Sequence, residues 1–201
     1  MAIVMTITGM EKGYRKRIRI YVDEVFCFSL YEREIHNYQL KLNMELSREL
    51  YDQILENTVF KRGKQKALNL LKRMDYTEGE LREKLKKSDF TIDIVDRVID
   101  YINSYHYLDD TRYVNHYIAY KKSNKSIRQI KMELKRKGVD NELINQQIEE
   151  ANISDKIAIQ RAIAKKTKDI HSLTYEEKQK IGAYLFRKGF TESDIRQQLL
   201  L

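Results

Sequence analysis

The sequence predicts a mainly α-helical protein: three tandem three-helix repeats in an elongated, curved solenoid, preceded by a small β-rich N-terminal domain. Three observations predict it. An apolar skeleton recurs at Leu81, Leu85, Phe90, Val95 and Ile99, again at Ile130, Leu134, Val139, Ile144 and Ile148, and again at Ile181, Leu185, Phe190, Ile195 and Leu199, with shifts of 49 and 51 residues. Each copy has two apolar positions four apart, a break, then two more four apart, which is the stripe of one helix, a tight turn and the stripe of a second. The punctuation repeats as well. Asp89, Gly138 and Gly189 stand just before the bridging apolar residue, where a helix C′ residue turns left-handed; Gly enters that region freely and Asp tolerates it. Proline is absent from all 201 residues, as suits helices without enforced kinks.

The division predicted is 1–60 for a sheet-plus-helix domain, then 61–108, 109–153 and 154–201 for the repeats. In the first part, Ile3 to Ile7 is β-prone and Arg17 to Val22 alternates polar and apolar residues. Asp23-Glu24 makes a two-residue hairpin into Val25 to Ser29, without the Gly that favours such a turn. A helical turn around Tyr31 to Asn37 precedes a return to the sheet between Leu40 and Leu46, giving three or four strands. Ser47 then caps a helix using Leu50, Ile54 and Leu55, and Gly63 among basic neighbours marks a soft joint. A piece of roughly 60 residues makes a poor core alone, so it should lean on the first repeat.

The first repeat opens with a helix over 64–74 that buries Ala67, Leu68 and Leu71. Thr77 to Glu80 reads as a capping box for its second helix, Ser126 to Gln129 as the counterpart in the second repeat, and Thr174 to Glu177 as a box three residues early in the third, so that helix should be about one turn longer. The second repeat begins at Leu108-Asp109-Asp110, with Asp109 as N-cap and Asp110 as favourable first-turn charge. Tyr113, Tyr117 and Tyr120 then share one helical face, read as core rather than as a base-stacking platform. The third begins near Ser154-Asp155, with Ile157, Ala158 and Ala162 inward, and closes at Leu199 to Leu201.

Tyr107-Leu108-Asp109-Asp110-Thr111-Arg112-Tyr113-Val114, following Val98-Ile99-Asp100-Tyr101-Ile102, resembles the signature of the RecX regulatory proteins, as does Leu134-Lys135-Arg136-Lys137-Gly138-Val139. The resemblance covers roughly residues 64–200. It departs at Tyr113-Val114, where many members have Phe-Ala, and at Asp89, where the later repeats have Gly. The N-terminal extension resembles that of longer Gram-positive-type members. The resemblance implies tandem three-helix repeats and a modulator of the bacterial recombinase RecA.

The residues themselves point away from catalysis. His36, His106, His116 and His171 are scattered without metal-ligand spacing. The single Cys27 lies in a predicted strand and reads as a buried thiol; without a second cysteine it suits a reducing, cytoplasmic compartment. Asp109 and Asp110 are adjacent, so their side chains point roughly 100° apart on a helix and do not form a paired-carboxylate site. The seven glycines are dispersed, with no phosphate loop. No segment approaches the ~20 apolar residues of a membrane span. The reading is therefore a non-enzyme, with no catalytic residue, metal or cofactor.

Charge is what remains. Residues 1–60 hold 8 Lys and Arg against 9 Asp and Glu, whereas 61–201 hold 30 against 21, so the net charge of +8 sits on the repeats. The densest run is Lys121, Lys122, Lys125, Arg128, Lys131, Lys135, Arg136 and Lys137, interrupted by Glu133 alone. Lys135 to Lys137 complement a helix C-terminus, as Lys86-Lys87 and Arg187-Lys188 do, which makes a solvated face the plain alternative. Lys121, Lys122 and Lys125 instead crowd a helix start, where dense like charge favours a polyanionic or acidic partner, and amides near Ser126 could add phosphate contacts. With the resemblance, the expected partner is a RecA filament on DNA, bound by a monomer that restrains its assembly, ATP turnover or strand exchange. A stand-alone nucleic-acid-binding helical module, on single- or double-stranded DNA, is the alternative.

Overall fold

The computed structural model describes residues 5–200; Ile3 and Val4 of the predicted first strand, and Leu201, lie outside them. Two compact units result, one ending at Leu108 and the other beginning at Asp109. The protein is mostly helical, with a small antiparallel sheet at its N-terminal end.

In the first unit, β1 (Met5–Lys12), β2 (Ile18–Val22), β3 (Val25–Leu30) and β4 (Glu45–Leu46) form a sheet of order β3-β2-β1-β4. The β2–β3 hairpin turns at Asp23 and Glu24, both left-handed at φ 49° and 68°. That is the primed geometry of a two-residue turn, normally supplied by Gly. Here side chains hold it instead: Asp23 Oδ1 accepts from the Thr6 amide at 3.0 Å and Thr8 Oγ1 from the Glu24 amide at 2.8 Å. The short helix α1 is Glu32–Asn37. The return expected over Leu40 to Leu46 shrinks to β4, because Gln39 and Asn43 are left-handed and turn the chain before it can pair.

Ser47 caps α2 (Arg48–Ile54), its Oγ accepting from the Leu50 amide at 3.2 Å. The helix widens into a π turn over Leu55–Phe60 and runs straight on as α3 (Lys61–Leu71), which buries Ala67 fully and Leu68 and Leu71 in part. There is no joint at Gly63. It lies buried inside the helix, where a Cβ would stand 2.7 Å from Val98 Cγ2, so the glycine marks close approach of two helices. The helices α4 (Glu78–Lys86) and α5 (Ile92–Ser104) complete the first repeat. Thr77 and Glu80 form a reciprocal capping box. One core joins sheet and repeat, running from Ile7, Ile20 and Phe28 through Val59 and Ala67 to Leu81, Leu85, Phe90, Val95 and Ile99.

Asp89 explains why this repeat lacks Gly at C′. Left-handed at φ 56°, it is buried against the sheet. Its Oδ2 accepts from the Tyr14 amide at 2.7 Å and its Oδ1 from the Arg19 guanidinium at 2.5 Å. The buried Arg17 guanidinium donates to the Ser88 carbonyl and stands over the Phe90 ring, 5.6 Å from its centre.

The second unit holds α6 (Asp110–Lys121), α7 (Ile127–Arg136) and α8 (Asn141–Glu150), then α9 (Lys156–Ala164), α10 (Tyr175–Arg187) and α11 (Glu192–Leu199). Each triad has its own small core, the first around Ile130, Leu134, Val139 and Ile144, the second around Leu185, Phe190, Ile195 and Leu199. Gly138 and Gly189 are left-handed at φ 80° and 87°. At 13 residues α10 exceeds α7 by 3, the extra turn that the early Thr174–Glu177 box predicts.

Three local expectations fail here. Tyr120 is 75% exposed, because its position at the end of α6 carries it past the core that takes Tyr113 and Tyr117. Ile157 is exposed while Ala158, Ile159 and Ile163 turn inward, a rotation of α9 by one position. Ser126 caps α7, but Gln129 does not reciprocate: its amide nitrogen donates to Glu133 Oε1 at 3.3 Å. The two triads share polar contacts instead. Ser126 Oγ donates to the Lys188 carbonyl and Asp155 Oδ1 accepts from the Ile127 amide, both at 2.8 Å.

Candidate functional site

The basic run from Lys121 to Lys137 occupies the end of α6, the turn after it, and α7. Its residues separate into two kinds. Lys122, Arg128, Lys135 and Arg136 are exposed, and among the described residues none of them makes an ion pair. The others are engaged within the repeat. Lys125 forms an ion pair with Glu133, and Lys131 donates to Asn145 Oδ1 at 2.7 Å.

Lys121 and Lys137 stand against tyrosines. The Tyr113 and Tyr117 rings stack with centres 6.2 Å apart and planes at 14°. Lys137 Nζ lies 5.5 and 5.8 Å from those two centres, and Lys121 Nζ lies 5.8 Å from Tyr117 and 4.4 Å from Tyr120. Cations over ring faces are attracted by the quadrupole while remaining positive toward solvent. Glu133 anchors this arrangement, accepting from Tyr117 Oη at 2.5 Å as well as from Lys125. Burial pushes its carboxyl up, but the bonds from Lys125 and Tyr117 outweigh that and hold it below the usual carboxylate range. The lone acid of the run is therefore an internal counter-ion and does not neutralise the outer cations.

The N-terminus of α7 offers less to a phosphate than its position suggests. The Ile127 amide is taken by Asp155 and the Gln129 amide by Ser126, so two of the donors expected there are already engaged. At the start of α6, Asp109 Oδ1 accepts from the Arg112 amide at 2.8 Å and Asp110 lies in the first turn. Leu108 is partly buried in the first unit's core and Tyr113 in that of the second repeat. The pairings of Arg17, Arg19 and Arg62 follow no sequence pattern, because their partners Ser88, Asp89 and Glu34 lie 28 to 71 residues away. The departure of Asp89 from the Gly pattern was the available signal.

Among the described residues no group of three or more His, Cys, Asp and Glu could hold a metal ion. Cys27 is half-buried and its thiol donates weakly to the Val25 carbonyl at 3.4 Å. Among the described residues no helix is long and apolar enough to cross a membrane.

Fold and surface together define a tandem three-helix repeat protein whose second repeat presents cations. Family models for the first, second and third three-helix domains of RecX match residues 64–101, 109–146 and 158–199 in order, and the chain belongs to the RecX family of regulatory proteins. It is 30% identical over 202 residues to the regulatory protein RecX of Clostridioides difficile, covering 98% of this chain and 94% of that one. With the protein of the same name from Clostridium acetobutylicum it shares 29% identity, covering 96% and 94%. A crystal structure of a regulatory protein RecX superposes with a TM-score of 0.62 at 20% identity, covering 97% of this chain and 98% of that chain. The RecX of Lactobacillus salivarius gives 0.60 at 24% identity, covering 70% and 94%.

Proposed function

We propose that the protein binds a RecA–DNA filament in the cytoplasm, as a monomer without catalysis of its own, and restrains the filament's assembly, ATP turnover and strand exchange. The observation that carries this reading is the division of the basic run. Lys122, Arg128, Lys135 and Arg136 are exposed without acidic partners among the described residues, while Glu133 is spent internally on Lys125 and Tyr117. Like charges left together at a surface cost stability, and a polyanionic partner offsets that cost. Family membership supports a regulatory role, since the relatives are named regulatory proteins.

A second reading, direct binding to nucleic acid, is favoured by Tyr120, exposed under Lys121 in the manner of a stacking platform beside a phosphate contact. One experiment addresses both: retention on single-stranded DNA, bare and coated with recombinase and ATP. The filament reading requires much stronger retention on the coated strand, whereas equal retention favours the module. Replacing Lys122, Arg128 and Arg136 by Gln should flatten log K against log salt by roughly 2 units for single-stranded contacts. Intact recombinase inhibition with an unaltered slope would make these residues an ordinary solvated face.

A further inference from the structure

The N-terminal sheet lies outside the basic run of the second repeat, yet it concentrates charge of its own. Residues 1–60 are almost neutral, but six of their eight Lys and Arg gather about one loop: Lys12, Arg15, Lys16, Arg17, Arg19 and Arg33. An open cavity of about 620 Å³ is lined by Lys12, Lys16, Arg17 and Arg33 together with Tyr31 and Glu32. Arg17 and Arg19 are committed to Ser88 and Asp89, but Lys12, Arg15, Lys16 and Arg33 are exposed. Of the nearby acids, Glu34 is held by Arg62 and Glu11 by Tyr21, which leaves Glu32 on the wall.

The backbone of this loop is strained. Arg15 and Lys16 are consecutive left-handed residues at φ 50° and 63°, a conformation in which side chains are disfavoured and Gly is not. Surrounding bonds impose it: Tyr14 donates its amide to Asp89, Gly13 donates to the Arg17 carbonyl at 2.7 Å, and Arg17 Nε donates to the Tyr14 carbonyl at 3.3 Å. Strain of this kind persists where its surroundings over-determine it and marks functional loops. Cations occupy positions where stability alone would select glycine. Aromatic rings adjoin them. The Tyr14 ring has Arg15 and Arg17 at 5.2 and 5.5 Å, and Tyr31, 43% exposed, rests on Arg62 at 5.1 Å.

We propose that this cavity binds single-stranded nucleic acid, with Lys12, Lys16 and Arg33 on the phosphates and a base against Tyr31. A cationic groove beside an exposed aromatic ring is how unpaired strands are held without sequence preference. An acidic polypeptide would use the charge but leave the ring unused. The site does not depend on the recombinase reading, because it binds DNA directly.

The test is fluorescence anisotropy of a labelled oligothymidylate with the full chain over a salt series. The K12Q/K16Q/R33Q variant should bind at least tenfold more weakly, with a slope flatter by about 2 units. Tyr31→Leu should weaken binding by about fivefold or more, while Tyr31→Phe, which keeps the ring, binds as the parent does. Circular dichroism melts establish that each variant is folded, and the tyrosine pair gives a readout that charge removal does not touch. An unaltered slope in the folded triple variant overturns the site, as does displacement of the oligothymidylate by polyglutamate as readily as by unlabelled strand. So does loss of binding confined to K122Q/R128Q/R136Q, which would leave the second-repeat reading standing.

Discussion

The first repeat and the third are the same unit placed against different neighbours. Both end their second helix with a left-handed C′ residue before a buried Phe, but one uses Asp89 and the other Gly189. In the first, the carbonyl at the helix end, Ser88, accepts from the buried Arg17 of the sheet. In the third, the corresponding carbonyl of Lys188 accepts from the buried Ser126 of the second repeat. Carbonyls in the last turn of a helix lack intrahelical partners, and in both places a preceding element supplies the donor. Where the donor is a charged guanidinium with a second Arg beside it, a carboxylate at C′ balances the charge. Where it is a hydroxyl, glycine suffices. Docking partners, and not the repeat's own geometry, choose the C′ residue.

The largest blow to the comparison should come from the bridging aromatic. Phe90→Ala removes a ring packed under Arg17 and beside Gly63, at a cost of roughly 3–5 kcal/mol in chemical denaturation. Because sheet and repeat share one core, the sheet should lose amide protection together with α4 and α5. If the sheet kept its protection, the shared core would not be a cooperative one.

Next comes Asp89→Ala, which leaves Arg17 and Arg19 without their carboxylate. Arg19 is 42% exposed and solvent screens that half of the pair. The expected loss is roughly 2–3 kcal/mol. Asp89→Gly should recover less than half of it, despite the better backbone fit. A full recovery would mean that conformation and not charge selects Asp.

Smaller still is Gly189→Ala. A methyl group at φ 87° costs about 1–2 kcal/mol. It would also stand 2.9 Å from Ser126 Oγ, so hydrogen exchange at the α7 start should quicken as well.

The mildest test is pH. Burial pushes the Asp89 carboxyl up, but the bonds from Arg19 and the Tyr14 amide outweigh it and leave it below the ordinary range. Its stabilisation is present above the ordinary carboxylate value and is lost as pH falls toward the depressed one. Burial raises Asp155, against the bond from the Ile127 amide and with Asp194 adding to the rise. Its contribution runs the other way, present below the ordinary value and lost as pH rises through the raised one. Exchange measured at pH 7 and again near pH 4 should therefore show the sheet loosening relative to the α7 start. Parallel loosening in both places would break the contrast.

The features legible from spacing are local ones. The repeat register, the Thr77 and Thr174 boxes, the Ser47 cap and the left-handed turns at Asp89, Gly138 and Gly189 all rest on bonds spanning three to six residues, and spacing alone makes them legible. Packing between distant segments sets the rest. It turned Ile157 and Tyr120 outward, because a stripe defines a face but the neighbouring element defines which edge of that face is covered. It made Gly63 a contact with Val98 35 residues away and not a joint. In the candidate surface the residue list was readable, but the sorting of Lys125 to Glu133 and of Lys121 and Lys137 to tyrosines was not. Charges pair through space, and the partner of Arg17 or Arg19 some seventy residues on leaves no periodicity in the chain.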